Sequence, residues 1–125
     1  MVFDVVAQIA DALVDVGAKS VAIGIEQGIS ADDTPFVRIV PFEEESEEFA
    51  KAGLSFGVYV GTDIVDDMAQ TYKEHMDMVE RIKSALSFTQ WNGGVCYYKG
   101  TKFDRDIVKH YKVALVEFEI KGMAQ

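Results

Sequence analysis

Two histidines and one cysteine are the side chains best suited here to nucleophilic, acid–base or metal chemistry, and none has company at a useful spacing. His75 and His110 lie far apart in sequence, so they do not form the short-range pair that grips zinc. His75 falls beside the apolar stripe of a helical pattern, where a packed structural histidine is the simpler reading. Cys96 lies between Val95 and Tyr97 in a strand pattern and reads as a small buried hydrophobe. A nucleophilic thiolate would need a basic or histidine neighbour to lower its pKa. Asp63, Asp66 and Asp67 are oxygen donors of the kind that hold divalent cations, but acids at the start of a helix already stabilise it through capping and the dipole. Gly24 and Gly28 do not complete a G-x-G-x-x-G, no phosphate-binding G-x-x-x-x-G-K-[ST] is present, and Asn92-Gly93-Gly94 reads as a turn. The residues therefore nominate no catalytic centre, no metal and no cofactor.

The informative charged feature is different in kind. Glu43, Glu44, Glu45, Glu47 and Glu48 crowd into six positions, bracketed by Phe42 and Phe49. On either side lie strand patterns: F-V-R-I-V-P at Phe36–Pro41 and L-S-F-G-V-Y-V at Leu54–Val60. A mutually repelling run is predicted to resist collapse, so residues 42–53 are expected to form a long acidic hairpin loop. Hairpin loops usually have about 2–5 residues, and one this long implies an arm, lid or contact loop. The two aromatics imply packing on the domain or a partner that covers them. Lys99-Gly100-Thr101-Lys102-Phe103-Asp104-Arg105-Asp106 is the one stretch with local basic excess. As a mixed-charge loop, its Lys99, Lys102 and Arg105 could meet the acidic segment of a second copy. Trp91 is a candidate anchor for that contact, with core burial the equal alternative.

Composition bounds the rest. The chain has 125 residues, 49% of them hydrophobic and 11% aromatic, enough for one domain with a real core. Twenty-one acids against twelve bases give a net charge of −9, which repels nucleic-acid phosphates and anionic membranes. A lone cysteine forms no intrachain disulfide and suits a reducing compartment. No segment approaches the roughly 20 apolar residues of a membrane span, and Asp4, Asp11 and Asp15 interrupt the N-terminal pattern. A soluble intracellular domain without membrane contact is expected.

Periodicity supplies the elements that must carry these residues. Val2, Val6, Ile9, Leu13 and Val16 mark an amphipathic helix ending at Gly17. Val21, Ile23 and Ile25 alternate as a strand, and the two hairpin arms follow. Met68, Tyr72, Met76, Val79, Ile82 and Leu86 stripe a second helix that begins between Asp63 and Ala69. Val95–Lys99 and Tyr111–Ile120 complete the set. The order α-β-β-β-α-β-β predicts an α+β fold: a mostly antiparallel sheet of four to five strands covered by two helices.

That order, the chain length, the opening helix ending at Gly17, P-F-V-R-I-V-P at Pro35–Pro41, F-G-V-Y-V at Phe56–Val60 and Y-K-V-A-L-V-E-F-E-I at Tyr111–Ile120 together resemble the phage tail terminator, or tail completion, family, related to the minor tail protein U group of long-tailed phages and prophages. The resemblance spans most of the chain. It implies a hexameric ring that caps the tail tube and stops its growth. Its partners would be other copies of itself, tail tube proteins and head–tail connector proteins. It also implies that the loop between the second and third strands faces neighbouring subunits, tube or lumen, and it brings no catalytic residues. Such a protein would occupy the host cytoplasm during assembly and then the virion tail. Six copies of a −9 protomer would let duplex DNA slide through without specific binding.

Two other classes fit the residues. A small enzyme or ligand-binding domain would gather Tyr72, His75, Tyr97 and His110 in one pocket. An acidic inhibitor or immunity-type protein would use the glutamates to mimic a nucleic-acid backbone and would bind a basic enzyme as a monomer.

Overall fold

A computed structural model describes residues 2–104 and 110–124. In chain order it contains helix α1 (Val2–Ala12), strand β1 (Ser20–Ile23), a 3-10 turn (Ala31–Asp33), β2 (Phe36–Glu47), a second such turn (Glu48–Ala50), β3 (Lys51–Asp63), helix α2 (Met68–Leu86), β4 (Gln90–Trp91), β5 (Gly94–Phe103) and β6 (Tyr111–Ala124). The class is α+β with two helices. The sheet has six strands in the order β1-β2-β3-β6-β5-β4 rather than four to five. The extra strand is the two-residue β4, too short to show an alternation. β1 runs parallel to β2, and the other pairs are antiparallel.

Both helices lie on one face of the sheet. Val5, Val6, Ile9 and Leu13 from the first helical segment and Met78, Val79, Ile82 and Leu86 from α2 meet Val37, Ile39, Phe56, Val58, Val60, Ala114, Val116, Phe118 and Ile120 from the strands. Alternation along each strand sends every second side chain into this layer. The Phe56 and Phe118 rings stack across β3 and β6 with centroids 5.4 Å apart. Cys96 joins the core with no exposed surface, as its strand setting predicts.

Two local readings are corrected and a third, the capping of α2 by its first acids, is met. The regular part of α1 stops at Ala12, and Leu13–Val16 turn more tightly before Gly17, whose φ of +98° is the left-handed conformation glycine tolerates. On α2 the buried face is Thr71, His75, Met78, Val79, Ile82 and Leu86, so Met68 and Met76 stand about half exposed. Asp67 caps that helix by accepting hydrogen bonds from the N–H groups of Ala69 and Gln70.

The largest correction concerns residues 42–53, which do not form a loop. Glu43, Glu44, Glu45, Ser46 and Glu47 pair with Ser55, Leu54, Gly53, Ala52 and Lys51, and only Glu48–Ala50 turn the chain. The acids tolerate a strand because alternation sends neighbours to opposite faces, leaving same-face carboxylates roughly 7 Å apart in water. Their partners on β3 also continue an apolar ladder onto β6, where Ala52 faces Met123 and Leu54 faces Ile120. Burial of that ladder outweighs screened surface repulsion.

Candidate assembly surface

The face of the sheet away from the helices has no covering layer among the described residues. Gly53, Gly57 and Gly61 recur on that face of β3, and side chains of β2 fill the space each leaves. Phe36 lies over Gly61, Phe42 over Gly57 and against Leu115, and the Glu47 carboxylate over Gly53. Large side chains resting on glycines of a neighbouring strand is a known way to pin register. Phe42 is the extra residue of a β-bulge between Pro41 and Glu43, and it remains 45% exposed. Nearer β1, Arg38 is buried on this face. Its guanidinium donates to the Glu26 carboxylate at 2.8–3.1 Å and to the carbonyl and hydroxyl of Ser20, tying β1 and the following loop to β2. Arg38 beside it holds the Glu26 carboxyl below the usual carboxylate range.

The acidic residues divide into two groups. Glu43, Glu44 and Glu45 are exposed on β2, in a stretch whose outer edge carries no strand among the described residues, because β1 accompanies β2 only from Phe36 to Ile39. Glu47 is fixed instead: its carboxylate accepts the backbone N–H of Gly122 at 2.9 Å. Glu48 lies in the turn with Phe49, which is 89% exposed and holds a left-handed φ of 60°.

At the opposite edge, Lys99–Phe103 belong to β5 and Gly100–Phe103 pair with β6, so the expected mixed-charge loop is strand up to Phe103. A bulge between Tyr98 and Gly100 bends β5 there. Lys99 and Lys102 project from the open face and form ion pairs with Glu119 at 3.3 Å and Glu117 at 3.0 Å. Arg105 lies outside the described residues. Trp91 resolves toward the core: it packs against the buried cluster and donates its indole N–H to the Thr89 hydroxyl at 2.7 Å. Within one protomer the acids and lysines are therefore not brought together. They occupy opposite margins of the sheet, with β3 and β6 between them.

The four residues weighed as a dispersed pocket do not converge. Tyr97 packs edge-on against Phe88, and His110 lines a shallow depression with Ile29, Ser30 and Asp32. Tyr72 and His75 sit on α2 near a buried polar group that the sequence reading misses. There the Lys112 ammonium is 3.9 Å from the Asp104 carboxylate and lies over the Tyr72 ring. His75 shares a 2.6 Å hydrogen bond with the Thr62 hydroxyl through Nδ1, while its buried Nε2 has no hydrogen-bond partner among the described residues. Burial pushes the His75 pKa below its ordinary value; Lys112 adds to that effect and Asp104 opposes it. Burial likewise pushes the Cys96 thiol up to about 12. Among the described residues no group of three or more His, Cys, Asp or Glu side chains is placed to hold a metal, and no helix is long and apolar enough to cross a membrane. What the surface can do chemically is pair strand edges and match opposite charges.

No protein-family model and no curated protein matches the chain. Solved structures do. One is a chain of the virion of a native gene transfer agent particle, which superposes with a TM-score of 0.59 at 14% identity. The match covers 95% of this chain and 92% of that one. At this identity it shows a shared fold.

Proposed function

We propose that the protein is a structural component of a phage-like particle, and that its role is that of a tail terminator. It forms a ring, hexameric by family resemblance, that caps the tail tube and joins it to the head. The observation that carries this reading is the end-to-end fold match with a virion chain, in which almost nothing of either partner is left over. The physical setting agrees with it. The protomer keeps an uncovered sheet face, an exposed aromatic tip at Phe49 and sheet margins of opposite sign, which suit assembly better than a reaction centre. Glu43, Glu44, Glu45, Glu48, Phe42 and Phe49 on one side, with Lys99 and Lys102 on the other, are the proposed contacts. The tail tube, connector proteins and other copies of the chain are the proposed partners. A net charge of −9 per protomer lets DNA pass through the bore without being held.

Negative-stain imaging of concentrated protein, alone and mixed with purified tail tubes, tests the reading. Closed rings, and caps at tube ends, are expected. A monomer that ignores tubes and forms a tight one-to-one complex with a basic enzyme would favour the acidic inhibitor instead.

A further inference from the structure

The assembled form needs a contact that repeats, and the sheet offers two unpaired margins from which to build it. β1 and the N–H of Gly24 cover the outer edge of β2 only as far as Ile39, leaving the stretch through Glu47 open. At the far side β4 and the backbone of Phe88 and Thr89 cover β5 only as far as Cys96. Among the described residues, Tyr97–Phe103 has no strand on its outer side. An open edge exposes a row of unmatched N–H and C=O groups, which pair readily with another strand. The β2 margin carries Glu43, Glu44 and Glu45; the β5 margin carries Lys99 and Lys102, which pair within the protomer with Glu119 and Glu117 of β6 and would exchange or share those partners at a junction.

We infer that the β2 margin of one copy pairs, antiparallel, with the β5 margin of the next copy, so that the sheet continues from subunit to subunit around the ring. The occupant of each edge is thus a second copy of this chain, and the inference rests on the ring reading above. Charge selects this pairing. A two-fold contact would set β2 against β2 and stack glutamate on glutamate, or β5 against β5 and stack lysine on lysine. Only the head-to-tail contact places opposite signs together, and a head-to-tail contact gives a ring when its rotation closes and an open filament when it does not. Direction agrees too. β2, β3, β6 and β5 alternate in direction, so a rotation about a ring axis to which the strands are tilted by roughly 36°, as in a barrel with a shear of one per strand, brings β5 against β2 antiparallel. Across the sheet Pro41 stands level with Phe56, Phe118 and Tyr98. Setting Glu44 beside Gly100 or Thr101 therefore needs a stagger of about four residues over four long strands, about one per strand, as in an eight-stranded barrel of shear eight. At that register β1 clears one end of the junction and β4 clears the other. Pro41, which has no N–H to donate, sits at the start of the open stretch.

Two full-length charge-reversed variants test the pairing. The first carries Glu43→Lys, Glu44→Lys and Glu45→Lys; the second carries Lys99→Glu and Lys102→Glu, and thermal melts establish that each folds. Each alone presents like charges at every junction and should lose at least tenfold of the ring population at equal concentration. Mixed one to one, each reversed β2 margin meets a reversed β5 margin, and rings should return with the two variants alternating, as seen by native mass spectrometry. A single chain carrying all five changes should also form rings. Rings from wild type that persist in both separate variants, or variants that fail alone and also fail when mixed, would overturn the edge pairing while leaving the ring itself standing. Failure of wild type to form rings in any condition would instead remove the reading on which the pairing rests.

Discussion

The Glu47 carboxylate accepts the backbone N–H of Gly122 at 2.9 Å, joining the end of the acidic run to the last strand of the sheet. This bond separates Glu47 from its neighbours. Sequence alone predicts that all five glutamates change to glutamine with little effect on melting; the structure restricts that expectation to the others.

Glu47→Ala should therefore destabilise the protomer by about 1.5–3 kcal/mol, the usual range for a hydrogen bond to a charged group. Glu43→Gln, Glu44→Gln and Glu45→Gln should each stay within about 0.5 kcal/mol, as exposed substitutions do. Urea denaturation of the four variants checks this. Equal, small effects at all four positions would mean that Glu47 is as free as its neighbours.

Gly57 is the second test of the open face. A methyl group there would collide with Phe42 and Leu115, so Gly57→Ala should cost about 1–3 kcal/mol through overpacking. Adding Phe42→Ala should recover part of that loss, because the two positions share one space. Strict additivity in the double-mutant cycle would show that Phe42 does not rest on Gly57.

The buried histidine predicts a pH dependence. His75 has a folded pKa below its unfolded value of 6.5, so the folded state favours the neutral ring. Its contribution is fully present above about pH 6.5 and declines as pH falls through the window beneath that value, until the ring is charged in both states. Asp104 and Lys112 are the charged groups acting on it, with opposite signs. Replacing His75→Leu and Thr62→Val together exchanges a buried polar pair for apolar groups, which should be nearly neutral at pH 8. The same exchange should flatten the loss of stability below pH 6.5 relative to wild type. Parallel stability curves for the two proteins from pH 5 to 8 would contradict this assignment.

Cys96 should be chemically silent in the folded protein. It is fully buried, and burial pushes its thiol up to about 12, so almost no thiolate exists near pH 8. An aromatic disulfide reagent should leave it unmodified under native conditions and label it at once in guanidinium. Rapid labelling of native protein would show that β5 opens readily.

Much of this architecture was legible because local periodicity and burial agree. The stripes of both helices, the alternation of Phe56–Val60 and that of Ala114–Ile120 lead to the right class and to the order of every helix and strand except the two-residue β4. The acidic strand was not legible, because its charge speaks for a loop while its partners, β3 and the far end of β6, are non-local. One signal was present: Gly53, Gly57 and Gly61 fall every fourth residue on one face of a strand, which marks close approach by a neighbour rather than turn ends. The Lys112–Asp104 and Thr62–His75 pairs left no such mark, since each joins residues from different elements. Edge availability was equally hidden, because it depends on how short β1 and β4 are relative to the strands they flank.

The proposed ring closes through margins of opposite charge. Sedimentation equilibrium from micromolar to near-millimolar protein, at low salt and again near 1 M salt, measures it most directly. A species of six times the 13.9 kDa protomer is expected at low salt, dissociating as the Debye length shrinks to about 3 Å. A constant 13.9 kDa at every concentration and salt level, unchanged by added tail tubes, would contradict it.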